Sequence, residues 1–129
     1  MATGFPAATG DVLTSGMFNG LTSFTVGTAQ TADYTPVLND QYQALILMNK
    51  STAANFTIPT NASVAYPVGT VLTVLNQATN AVTIKAVTSG TTTILSAGST
   101  AAQPTLAQYK SAACIKTATD TWYIVGAIA

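Results

Sequence analysis

The chain has 129 residues and no net charge, and only 6% of its residues are charged. It contains four lysines and four aspartates but no histidine, arginine or glutamate. The lack of arginine and of net positive charge excludes the electrostatic footprint of a nucleic-acid-binding protein. Because the commonest general base and metal ligand is also missing, we expect no enzyme, no metal site and no cofactor.

The scarcity of charged residues also affects the tendency of the chain to self-associate. With 48% hydrophobic residues, the chain can bury a core for one domain. A free monomer with so few charges would be poorly protected against self-association. We therefore expect a protein that is held permanently in an assembly, with a secreted or thermally undemanding β domain as the alternative.

The first predicted segment, residues 1–22, is rich in Gly, Ala, Thr and Ser and shows no period of a strand or helix. We predict an extended docking arm that orders when it binds a partner, with an ordinary disordered terminus as the alternative. The large side chains expected to make this contact are Phe5, Leu13, Met17 and Phe18. The segment lacks the basic and apolar regions of a signal peptide, and no run is long enough to span a membrane.

Residues 23–129 show the pattern of a single β domain. Turn signals separate short β-prone runs roughly every ten residues, and no helical period is sustained, which is typical of a sandwich or barrel. The main predicted strands are 23–28, 42–48, 55–58, 70–75, 81–86, 91–95, 106–117 and 121–128. We predict an all-β fold, an antiparallel, jelly-roll-like β-sandwich of about eight strands behind the N-terminal arm.

The pattern inside two of these strands predicts their surroundings. The run YQALILM at 42–48 is mostly apolar, so we expect a central strand covered on both faces. The run at 81–86 alternates, which places Val82 and Ile84 inward and Thr83 and Lys85 outward.

The closing stretch CIKTATDTWYIVG at 114–126 predicts a β-hairpin with the only tryptophan of the chain. Trp122 and Tyr123 must point to opposite faces, so one belongs to the core and the other lies nearer the surface. Packing in the core or at an interface is the favoured role of the exposed ring, and stacking on a glycan is the alternative.

The few residues with reactive side chains favour structural roles. Cys114 lies in an apolar run with no histidine to activate it, which predicts a buried, inert thiol. Asp40 and Asp120 lie in turn-like sequences, where a carboxylate accepts hydrogen bonds from backbone N–H groups. Lys110 and Lys116 have the same parity, so we expect both on one exposed face.

Several stretches resemble one known family. They are DYTPVLND (33–40), ALILMN (44–49), NFTIPTNASVAYPVGTVLTVLNQ (55–77), AVTIKA (81–86) and YKSAACIKTATDTWYIVGAIA (109–129). Their strand, P-x-N-x-S turn and PVGT pattern, together with the closing hairpin, resembles a small β-sandwich module of tailed-bacteriophage virion proteins. The resemblance covers about three quarters of the chain and does not include residues 1–32.

The resemblance implies a structural role without enzymatic activity. Modules of this family occur in tail, fibre, collar and capsid-surface proteins, often as trimers. A module that stands nearly alone behind a short arm is similar to capsid decoration (cement) proteins, which are made in the host cytoplasm and lie on the outer capsid surface of the virion. The implied partners are the major capsid protein and further copies in a homotrimer; a receptor- or glycan-binding head-fibre or tail module is the alternative.

Overall fold

The computed structural model describes residues 25–97 and 103–129. Within these ranges the chain forms nine β-strands and one short 3-10 helix, which lies at Leu38–Tyr42 between the first two strands. In chain order, the strands are β1 (Thr25–Val26), β2 (Gln43–Met48), β3 (Ala54–Ile58), β4 (Val71–Asn76), β5 (Val82–Ala86), β6 (Thr93–Ser96), β7 (Thr105–Leu106), β8 (Ser111–Ala118) and β9 (Thr121–Gly126).

The strands form two sheets that enclose one core, so the predicted all-β sandwich is confirmed. The larger sheet has six strands in the order β1-β2-β4-β8-β9-β6, and the smaller has three in the order β3-β5-β7. Across the part of the chain that the structure describes, no helix has the length and apolar character needed to cross a membrane.

The predicted predominance of antiparallel pairing is wrong. Four of the seven strand pairs are parallel, namely β1–β2, β2–β4, β3–β5 and β6–β9. The physical reason is the path of the chain, which alternates between the sheets from β2 to β5. Two strands that follow each other in one sheet are then separated by a strand of the other sheet and run in the same direction.

The core lies between the two sheets and is built by strict alternation along the strands. In β3 and β5 the inward residues include Phe56, Val82 and Ile84, all fully buried. The prediction for 81–86 is therefore confirmed, since Thr83 lies between the buried Val82 and Ile84, and Lys85 has the same outward parity. Such alternation puts the apolar side chains of both sheets into one interior.

The predicted long strand at 106–117 is two strands in two different sheets. β7 pairs with β5 in the small sheet, whereas β8 pairs with β4 and β9 in the large sheet. Between them the chain turns at Tyr109, whose φ is +61°, a left-handed conformation that a strand does not contain. The amide of Tyr109 donates to the carbonyl oxygen of Asn76 at 2.6 Å, which fixes the turn against the end of β4.

Asn76 ends β4 as a buried polar side chain with every polar atom paired. Its Nδ2 donates to the carbonyl oxygens of Asn80 at 2.8 Å and Leu106 at 3.0 Å. Its Oδ1 accepts the backbone amide of Ala78 at 2.9 Å. These hydrogen bonds pair backbone groups near the end of β4 with a buried side chain, in a place that solvent does not reach.

Gly126 ends β9 and redirects the chain from the large sheet to the small one. Its φ is +136°, and a Cβ there would lie 2.6 Å from the carbonyl oxygen of Ser111, so no other residue fits without a shift. Beyond it, Ala129 exchanges two backbone hydrogen bonds with Thr105 of β7. The C-terminus therefore joins the two sheets.

Candidate interaction surface

The outward side of the large sheet is apolar and free of charge. We define the apolar face by nine side chains that alternate with buried residues along five strands. They are Leu45, Leu47, Val71, Leu75, Leu95, Ala113, Ile115, Tyr123 and Val125. The other outward positions of these strands are glutamine, serine and threonine.

One row of the apolar face runs straight across four strands. Val71 of β4 pairs with Ile115 of β8, Ile115 pairs with Tyr123 of β9, and Tyr123 pairs with Leu95 of β6. Directly opposite residues in a sheet have neighbouring side chains, so the four form a continuous apolar ridge. Val71 and Tyr123 remain 44% and 46% exposed, which leaves the ridge open to solvent.

Among the described residues, the strand predicted at 42–48 is covered on one face only, which differs from the prediction that both faces are covered. Ile46 and Met48 of β2 are buried in the core, whereas Leu45 and Leu47 point to the apolar face and are only partly buried. No second layer of the described residues covers that side of the sheet.

The outward side of the small sheet has the opposite character. We define the polar face as its outward residues, which are Asn55, Thr57, Thr83, Lys85 and Thr105. Hydroxyl, amide and ammonium groups of this kind are well solvated and have little tendency to associate. The domain thus has one outer surface suited to water and one suited to contact with another apolar surface.

Trp122 and Tyr123 lie on opposite sides of β9, as predicted. Trp122 is almost fully buried and packs edge to face on Tyr66, with ring centroids 5.7 Å apart and an interplanar angle of 89°. Tyr123 belongs to the apolar face. The core therefore receives the larger ring, and the exposed one takes part in the candidate surface.

The prediction that Lys110 and Lys116 share one exposed face is wrong, because Lys116 is buried and Lys110 is exposed. The Nζ atom of Lys116 donates to Asn61 Oδ1 at 2.5 Å and to the carbonyl oxygen of Tyr66 at 2.8 Å. Burial lowers the pKa of Lys116, and the charge of Asp120 opposes that shift. The prediction assumed that Lys110 and Lys116 lie on one strand with their side chains on the same outer face. Lys116 instead lies on the inner face of β8, and Lys110 lies in the turn that precedes β8.

Asp120 has the structural role that its turn sequence predicted. It lies between β8 and β9 with a φ of +56°. Its Oδ1 accepts the backbone amide of Asn61 at 2.7 Å and the hydroxyl of Thr92 at 3.3 Å. The partners are remote in sequence, so Asp120 and Lys116 together fasten the loop around Asn61 to the end of the hairpin.

Replacing Lys116 with methionine is expected to lower the free energy of unfolding by about 2 kcal/mol, since two buried or half-buried oxygen acceptors would lose their donor. Methionine keeps most of the length of the buried stem, so the change reports mainly on the hydrogen bonds. Lys110→Met is the matched control, because Lys110 is exposed, and it should change stability little. Urea unfolding followed by tryptophan fluorescence measures both; equal stability of the two variants would contradict the role given to Lys116.

Asp40 forms a second polar cluster, at the 3-10 helix, with a buried carboxylate. Its Oδ2 accepts the hydroxyl of Tyr34 at 2.6 Å and the amide of Val37 at 2.8 Å, and its Oδ1 accepts Gln43 Nε2 at 2.8 Å. The hydroxyl of Tyr66 donates to the carbonyl oxygen of Val37. Burial and the charge of Asp40 raise the pKa of both tyrosines well above the usual value, so they remain protonated donors.

Cys114 is fully buried, and burial raises the pKa of its thiol to about 12. Burial disfavours the thiolate, which is the reactive form, and the predicted burial of the thiol is confirmed. Among residues 25–97 and 103–129, no three aspartate or cysteine side chains lie close enough together to hold a metal ion.

The four residues predicted to dock, Phe5, Leu13, Met17 and Phe18, lie outside the described residues. Comparison with protein-family models, with curated proteins and with solved structures found no match to this chain. The apolar face is the feature that sequence reasoning missed. Its signal was present in the runs ALILM and TVLTVL, where large apolar residues occupy both parities.

Proposed function

We propose that this protein is a structural component of a bacteriophage virion, a capsid decoration (cement) protein that binds the outer capsid surface and stabilises the shell. The observation that carries the proposal is the two-sided build of the domain, with an uncharged apolar face on one sheet and a polar face on the other. A protein that assembles on a particle needs a surface for contact with the other subunits of the assembly and a surface for solvent. The virion-module resemblance of residues 33–129 supports the same proposal.

The proposed mechanism is mechanical. Each subunit would add buried apolar surface between neighbouring capsid subunits, and each 100 Å² of apolar surface removed from water contributes roughly 2.5 kcal/mol. The side chains proposed to reach the major capsid protein are those of the N-terminal arm, Phe5, Leu13, Met17 and Phe18. Ordering such an arm costs conformational entropy but lets it cover a wide area. In this proposal three copies associate around a three-fold axis, which closes the assembly.

The test uses expanded capsids assembled from the major capsid protein of the phage that encodes the chain, prepared without the decoration protein. Purified protein should co-sediment with these capsids and raise the temperature at which calorimetry detects their disruption. Removal of residues 1–22 should weaken binding at least tenfold, whereas Lys85→Glu on the polar face should leave it unchanged.

Two results would contradict the proposal. Protein that ignores capsids but binds host cells or glycans would favour the head-fibre or tail alternative. If the truncated protein binds capsids with full affinity, the arm is not the docking segment.

A further inference from the structure

We propose that the apolar face is the surface through which copies of this chain contact one another. The face comprises the outward side chains of β2, β4, β8, β9 and β6, with the ridge Val71–Ile115–Tyr123–Leu95 across its middle. The inference assigns an interface to residues on five strands, whereas the sequence indicated an interface only for the exposed ring of the closing hairpin. It deepens the proposed function, on whose assembled state it rests, yet it is tested on purified protein without capsids.

The first argument is charge. No outward position of these strands holds a charged side chain. Surfaces that select a different protein commonly do so by complementary charges, which this face cannot offer. The uncharged apolar rows of neighbouring copies can meet without any like-charge opposition, in a face-to-face pair and around a three-fold axis alike.

The second argument is area. From a strand spacing of about 4.8 Å and a rise of about 3.3 Å per residue, the five strands of the apolar face span roughly 500 Å². Two such faces together give about 1,000 Å², which reaches the lower limit for a specific interface between proteins. Contiguous apolar patches of this order on a protein surface commonly mark interaction sites.

The third argument is that other copies of the chain are available as partners. An apolar face of this extent has to be covered from the time the chain folds, and other copies made from the same message are present at that time. The polar face supports this reading by contrast, since its threonines, Asn55 and Lys85 leave the other side of the same domain free for solvent.

The experiment measures the mass of purified protein by light scattering and analytical ultracentrifugation at roughly 1 to 100 μM. Wild type is expected to be an oligomer. Val71→Glu on β4 and Val125→Glu on β9 should each weaken association at least 100-fold, because each places an unpaired carboxylate inside the interface. Both positions are about half exposed in the subunit, 44% and 50%, so the fold should tolerate the substitutions, which circular dichroism checks. Lys85→Glu is the matched control on the polar face and should leave the mass unchanged.

Each contrary outcome has a definite meaning. A wild-type monomer at 100 μM overturns the inference, and if the two glutamate variants then also lose capsid binding, the face docks on the capsid instead. An oligomer that resists both glutamates but dissociates without residues 1–22 also overturns it, because the arm would then join the copies. An oligomer that the glutamates dissociate, but that never binds capsids, upholds the inference while the proposed function fails.

Discussion

Replacing Trp122 with alanine is expected to lower the free energy of unfolding by about 4 kcal/mol. Trp122 is the largest of the fully buried side chains, and its indole packs edge to face on Tyr66. Alanine would leave a cavity between β9 and the loop that carries Tyr66, and both the lost burial and the unfilled space destabilise the fold. Because the substitution removes the fluorophore, urea unfolding should be followed by far-ultraviolet circular dichroism.

Two further variants provide comparisons for the size of the expected stability loss. Trp122→Phe keeps an aromatic ring in the site and should cost less than half as much as alanine. Tyr42→Ala removes a ring that is 63% exposed and should change stability by less than about 1 kcal/mol. If Trp122→Ala proved as mild as Tyr42→Ala, Trp122 would not be a central part of the core.

Replacing Asp40 with alanine is expected to lower the free energy of unfolding by about 3 kcal/mol, because three donors would lose their acceptor. These donors are the hydroxyl of Tyr34, the amide of Val37 and the side-chain amide of Gln43. Hydrogen bonds to a charged acceptor are stronger than neutral ones. The 3-10 helix would lose the contact that fixes its first turn, so amide exchange of residues 37–42 should accelerate along with global unfolding.

Asp33 provides the matched control for Asp40. It too is an aspartate with several partners, since hydrogen bonds from Lys50 and Asn55 lower its pKa to about 2. However, Asp33 lies at the surface, where an ion pair contributes little, so Asp33→Ala should be much milder than Asp40→Ala. Tyr34→Phe should cost about 1 kcal/mol, as it removes a single donor. Equal losses for Asp33→Ala and Asp40→Ala would contradict the importance of burial.

The sequence was sufficient to predict the elements whose residue pattern is compatible with only one local structure. Val82 and Ile84 alternate with Thr83 and Lys85, and alternation of this kind identifies both the strand and its inner side. Asn55–Ile58 ends at Pro59, which cannot donate to a ladder, and the observed β3 ends at Ile58. The burial of Cys114 and the placement of Trp122 and Tyr123 on opposite faces of their strand followed from the same local reasoning, which left open which ring enters the core.

The sequence could not predict properties that depend on where a strand lies relative to the others. Turn residues show that the chain reverses but not into which sheet it continues, so the parallel pairs were missed. A strand with apolar residues on both sides, such as β2, looks the same whether a second layer belongs to its own domain or to another molecule. The burial of Lys116 depends on acceptors on Asn61 and Tyr66, which lie 55 and 50 positions away in the sequence.

The apolar residues on both sides of β4 have a consequence for how the sheet finds a single alignment with β8. If β4 slipped by one residue, Val71 and Leu75 would turn inward with Thr73 and the core would still receive mainly apolar groups, so hydrophobicity alone penalises the error weakly. Asn76 and Lys116 remove this ambiguity, because each has its hydrogen-bond partners only in the observed alignment. A slip would place both away from those partners. The buried polar residues Asn76 and Lys116 therefore specify the register of strands whose apolar residues alone would specify it only weakly.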